Sequence, residues 1–142
     1  MKNLAKHKVA VRTREYIVQA IFQLLFNNES VDSIIKQFED EHSGKKVDFV
    51  NFIKVLSVIN KRKYVFSSIL NSDLGLKDSE MELIDKSILF YGIYELENKE
   101  LPKEIAIDEC IRLSRKFSSP DSYKFINAYL DKLSKLNINL DK

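Results

Sequence analysis

His7, His42 and Cys110 are the only imidazoles and the only thiol in the chain, and they stand far apart. A structural zinc site takes four such ligands and a catalytic one three, set at short, regular spacings. Three scattered residues supply neither. Asp108 and Glu109 could be imagined as an acid/base pair, but neighbours on a helix point about 100° apart and do not converge on one proton. There is no glycine-rich phosphate loop, no Gly-x-Ser-x-Gly elbow and no His-Glu-x-x-His helix. The residues therefore predict no metal, no cofactor and no catalytic turnover.

Charge offers a different chemistry. The formal net charge is only +2, yet Lys2, Lys6, Lys8, Arg12 and Arg14 all precede the first acidic residue, Glu15. Such an arm can neutralise phosphates and release their counterions on binding nucleic acid; it can equally be a solvated, frayed terminus. A second cluster is Asp121-Ser122-Tyr123-Lys124-Phe125. Taken alone, it reads as a helix start, with Asp121 favouring the positive end of the helix dipole, Lys124 in water and Phe125 in the core.

Helices must position both clusters. Ile17, Ala20, Ile21, Leu24 and Leu25 repeat at helical spacing and predict a first helix from about Val9 to Phe26, ended by Asn27-Asn28. Ser30 is placed to cap a second helix carrying Ile34, Ile35 and Phe38, with Gly44 beyond its end. From Val47 to Leu70 the pattern predicts one long helix, or two joined by a bend near Lys61-Arg62-Lys63. Gly75 closes the front half, and Ser79-Glu80-Met81-Glu82 has the form of a capping box. A central helix follows, with Ile84, Ile88, Tyr91 and Glu95 on one side, ending at Asn98-Lys99. Pro102 suits the first position of the next helix, whose apolar face holds Ala106, Ile107, Cys110, Ile111, Ser114 and Phe117. Ser118-Ser119 then stops it; a serine would cap the last helix, with Pro120 at its first position and Ile126, Tyr129, Leu130 and Leu133 as its stripe.

No stretch alternates in the manner of a strand, and no internal repeat is evident. With 142 residues, 44% hydrophobic, 3 Gly and 2 Pro, a single compact domain with a real core is expected and long disordered tracts are not. No apolar run approaches the roughly 20 residues of a membrane span, and no secretory h-region opens the chain. A lone cysteine on an apolar face fits a reducing compartment. The expectation is a cytoplasmic protein with no membrane association.

Several separated blocks carry a resemblance. Pro102-x-x-Ile105-Ala106-Ile107-Asp108-Glu109 is followed by Lys116-Phe117 and by Asp121-Ser122-x-Lys124-Phe125-Ile126-Asn127-x-x-Leu130-Asp131. Together with Ile88-Leu89-x-x-Gly92-Ile93-Tyr94-Glu95-Leu96 and Arg12-x-Arg14-Glu15-x-x-x-Gln19-Ala20, they resemble the bacterial NusB transcription antitermination factors, in the family's order and over nearly the whole chain. The resemblance implies an all-α fold of about seven helices in two packed small bundles, an N-terminal half of about residues 1–75 and a C-terminal half of about 76–142.

It also implies a function. Family members hold the boxA segment of nascent RNA through an arginine-rich first helix and the start of the last one. That points to Lys8, Arg12, Arg14, Asp121, Lys124 and Phe125 as RNA-binding residues: the cations on phosphates, Phe125 stacking an unpaired base, Asp121 accepting from a base edge. Relatives pair with a small-subunit ribosomal protein, and Phe22 and Asp85 match positions near that partner. The implied role is antitermination on ribosomal RNA operons beside the elongating RNA polymerase. The resemblance leaves monomer and homodimer both open.

Some residues depart from the pattern. Ala10 and Val11 stand where relatives often carry arginine; Lys6 and Lys8 restore charge there, without arginine's bidentate fork. Phe22 replaces a frequent tyrosine, Phe90 a common arginine and Ala128 a common glycine. Two other readings stand beside the main one: a helical adaptor that keeps the protein partner but binds RNA weakly, and a stand-alone relative of the RNA-binding domain of ribosomal RNA cytosine methyltransferases.

Overall fold

The computed structural model describes residues 2–27 and 29–136, with the side chains of Lys2 and Asn3 left out. The Lys2 cation of the basic arm and the helix-ending Asn28 lie outside the described side chains and residues. Six α-helices are present, and no strand occurs among the described residues. They are α1 (Lys2–Phe26), α2 (Val31–Glu41), α3 (Phe49–Ser68), α4 (Leu83–Asn98), α5 (Lys103–Phe117) and α6 (Ser122–Lys135). The all-α expectation holds, with six α-helices among the described residues against about seven expected.

The chain divides into two compact units, Met1–Lys61 and Arg62–Lys142. The division falls inside α3, where Arg62 leaves helical geometry (φ −111°, ψ 17°), so the bend expected near Lys61-Arg62-Lys63 is real. It comes earlier than Gly75, the expected end of the front half.

In the first unit, Ser30 caps α2 by accepting a hydrogen bond from the Ser33 N–H at 3.1 Å, as its sequence position predicts. Ile34, Ile35 and Phe38 are then buried on one face of α2, while Ile17, Ala20, Ile21 and Leu24 are buried on α1. Each large side chain so buried stabilises the fold by about 1.5–3 kcal/mol. Phe38 meets Phe52 of α3 with ring centroids 5.3 Å apart. Buried Thr13 ties α1 to the start of α3: its Oγ1 donates to the Val9 carbonyl at 2.7 Å and accepts from the Asp48 N–H at 3.0 Å. Asp48 in turn caps α3, accepting from the Asn51 N–H at 3.0 Å.

The second unit is organised around α4. Every residue from Ser87 to Glu95 is buried, which marks a helix surrounded by its neighbours rather than one with a single core face. Gly92 is the tightest point. A Cβ there would lie 2.7 and 2.9 Å from the Leu130 methyls of α6 and 3.2 Å from the Cys110 sulfur of α5. Only a missing side chain lets three helices meet this closely. The Tyr91 hydroxyl donates to the Glu95 carboxylate one turn on, satisfying two buried polar groups together.

Before α4, the chain makes a π turn over Ile69–Asp73 and a 3-10 turn over Asp78–Glu80. Gly75, at φ +65°, takes the left-handed cap, and the Leu76 N–H returns to the Leu70 carbonyl at 2.8 Å.

Three predicted helix starts in the second unit shift. Glu80 accepts from the Lys77 N–H at 3.0 Å and so belongs to the 3-10 turn; the Ser79-to-Glu82 capping box does not form, and Glu82 precedes α4 without a side-chain cap. Pro102 is the residue before α5 rather than its first. Pro120 likewise sits in a turn closed by the Ser122 N–H on the Ser119 carbonyl at 2.9 Å, the place where a fixed φ suits position i+1. Asp121, not a serine, therefore precedes α6.

Candidate nucleic-acid interface

In the first unit, α1 begins at Lys2 rather than near Val9, so the basic arm is helical for most of its length. Helical geometry then sorts its cations. Lys8 and Arg12 are four residues apart and share a face, whereas Arg14 lies about 200° around from Arg12. Lys6 and Lys8 are exposed. Arg12 is half-buried, with Nη1 donating to the Lys46 carbonyl at 3.2 Å, so part of its fork is committed to the loop before α3. Arg14 is half-buried as well. Its face carries Ala10 and Val11, two of the places where the charge is reduced.

Phe22 is half-buried and stacks on Phe26, with centroids 5.8 Å apart and planes 9° from parallel. Phe26 itself is 68% exposed. The pair forms an apolar surface at the end of α1, a feature sequence reading assigned to Phe22 alone.

In the second unit, the turn between α5 and α6 gathers the other predicted residues. Lys124 is exposed, with its ammonium 3.8 Å from the Asp121 carboxylate; at this distance and exposure the pair is worth little and leaves the cation available. Phe125 is half-buried, neither lost in the core nor free of it, and its ring centroid is 4.9 Å from that of Tyr129. Asp121 and Phe125 line a cleft of about 440 Å³ with Ser79, Glu80, Glu82, Asp85 and Ser122.

Asp85, expected at a partner surface, is only 6% exposed. Its Oδ2 accepts from the Ser122 hydroxyl at 3.4 Å, and its Oδ1 has no hydrogen-bond partner. A residue expected to touch protein and two expected to touch RNA thus line one cavity. Four carboxylates around it disfavour a phosphate and favour N–H donors, such as the exocyclic amine of a base or a basic side chain.

One residue escaped sequence reading, and one departure from the family pattern finds its reason in the core. Arg115, in the last turn of α5, lies over the ring of Tyr123, with its Cζ 4.4 Å from the centroid. They are eight positions apart, and only the fold of the turn brings them together. Phe90, where relatives commonly have arginine, is fully buried and meets Phe66 edge to face at 5.7 Å. The loss of charge there is a gain of core.

Among the described residues, no group of three or more His, Cys, Asp or Glu could hold a metal ion, and no helix is long and apolar enough to cross a membrane. The fold and these surfaces define an all-helical protein whose exposed chemistry is charge, aromatic rings and hydrogen-bond acceptors. A sequence model of the NusB family matches residues 11–135, and the chain belongs to that family, one of non-catalytic antitermination factors. Transcription antitermination protein NusB of Coxiella burnetii is 31% identical over 129 residues, covering 90% of this chain and 94% of its own. Its counterpart in Serratia proteamaculans is 32% identical over 124 residues, covering 87% and 90%. The solved structure of T. maritima NusB superposes with a TM-score of 0.77 at 23% identity, over 92% of this chain and 94% of that one, and so shows the same fold.

Proposed function

We propose that this protein is an RNA-binding antitermination factor that holds boxA RNA together with a small-subunit ribosomal protein while RNA polymerase transcribes ribosomal RNA operons in the cytoplasm. Its action is binding without turnover. The observation that carries this reading is the start of α6, within the matched family region, where exposed Lys124 stands beside half-buried Phe125. A cation for phosphate and a ring for an unpaired base are the two parts a single-strand site needs. Lys8 and Arg12 add charge along one face of α1, with Arg14 on another. The Phe22–Phe26 pair and the acidic cleft with Asp85 support a protein partner, the first through apolar area and the second through acceptors for a basic side chain. The two units are proposed to act as one domain.

Fluorescence anisotropy of labelled boxA-like and scrambled RNA, with and without the ribosomal protein, tests the reading. The boxA-like RNA is expected to bind more tightly, and more so with the partner present. Log affinity should fall against log salt with a slope of about −0.7 per phosphate contact. RNA binding that stays undetectable with the partner present would leave a helical adaptor.

A further inference from the structure

We infer that Arg115 and Tyr123 form a nucleotide subsite that extends the RNA path across the start of α6, on the side away from the acidic cleft. The inference rests on the RNA-binding reading above and adds to it a place where the phosphate backbone runs.

The argument begins with the helix. Residues 123 and 125 of α6 point about 200° apart, so Tyr123 and Phe125 stand on opposite sides of its first turn. The two sides differ in charge. Phe125 faces a cleft lined by Glu80, Glu82, Asp85 and Asp121, which repels a phosphate. Around Tyr123 the neighbours are cations: the Arg115 guanidinium 4.4 Å from the ring centroid and the Lys124 ammonium 5.9 Å from it. A strand crossing this turn can therefore send a base toward Phe125 only if its phosphates pass on the Tyr123 side.

Arg115 is suited to meet them. It is exposed, and among the described residues no ion pair engages it. Held over the tyrosine ring, the exposed guanidinium is positioned at little entropic cost, and its N–H donors and planar face are available to a ligand. The donors fit phosphate oxygens, and the planar face fits a base, as arginine planes do in single-stranded RNA recognition. A cation in the last turn of α5 also favours the helix dipole. That role asks only for positive charge, and lysine would fill it.

The test uses the full chain, fluorescein-labelled single-stranded boxA-like RNA, and the variants Arg115→Ala, Arg115→Lys, Tyr123→Ala and Lys124→Ala, with thermal melts to monitor folding. Arg115→Ala is expected to weaken binding about fivefold to tenfold and to reduce the salt slope by about 0.7. Arg115→Lys should restore the slope but not the affinity, and Tyr123→Ala should lower affinity through loss of the platform. If Lys124→Ala weakens binding while Arg115→Ala and Arg115→Lys both match the wild type, the subsite is overturned and the RNA-binding reading survives. If Arg115→Lys regains full affinity, the guanidinium plane has no role and the subsite is likewise overturned. A wild-type protein that binds no RNA, alone or with the ribosomal partner, overturns both.

Discussion

The middle of α4 and the turn between α5 and α6 lie in the same unit and draw on the same three helices, yet they are built on opposite terms. At Gly92, side chains from α5 and α6 close to within the space of a single methyl group, and shape alone decides what fits. At the turn, Arg115, Lys124 and Phe125 keep polar or aromatic surface toward water, and Asp85 holds an unpaired oxygen beneath a cleft. The first region has spent its freedom on packing, and the second retains unsatisfied groups that a ligand can answer. Substitutions should therefore separate stability from binding according to which region they strike.

The largest effect is expected at the packed region. Gly92→Leu must displace Leu130 and Cys110, both fully enclosed, and should lower stability by about 3 kcal/mol, at the upper end of overpacking costs. A denaturant melt reads this directly. Gly92→Ala is a weaker probe, because alanine's better helix propensity offsets part of the clash.

Phe125→Ala comes next and should invert the pattern. Removing a stacking platform costs about 1–3 kcal/mol in RNA affinity per base, while the half-buried ring should cost the fold less than that. Equal losses in melting and in RNA titration would mean that Phe125 is only a packing residue. The smallest effect is expected at the far end of α6. The Lys135–Asp131 pair, 2.9 Å apart, has side chains 69% and 50% exposed, so Lys135→Ala should change stability by less than about 0.5 kcal/mol. A larger change would show that charge outside the turn matters more than this contrast allows.

The same contrast explains what could be read from residues alone. Helix interiors were legible, because apolar spacing is local: Ile34, Ile35 and Phe38 on α2, and Ile126, Leu130 and Leu133 on α6, are all buried as their periodicity demands. Helix starts were less so. Ser30 caps as expected, but Glu80 answers the Lys77 N–H instead of serving a box with Ser79, since several donors compete for one acceptor within a few residues. Charge along α1 was legible, though not that Lys8 shares the face of Arg12, because the apolar pattern places the helix start only near Val9 and the helix begins at Lys2. Least legible were contacts made by the turn. Arg115 over Tyr123 and Asp85 beneath Ser122 join residues whose separation in sequence carries no signal, and they exist only once α4, α5 and α6 have packed.

Cys110 gives that packing a reporter. It is the only thiol in the chain, and it is sealed against Gly92 with no surface in contact with solvent. A thiol reagent can reach it only while the three helices part, so the speed of labelling becomes a clock for that opening, built into the native sequence without a dye or a tag.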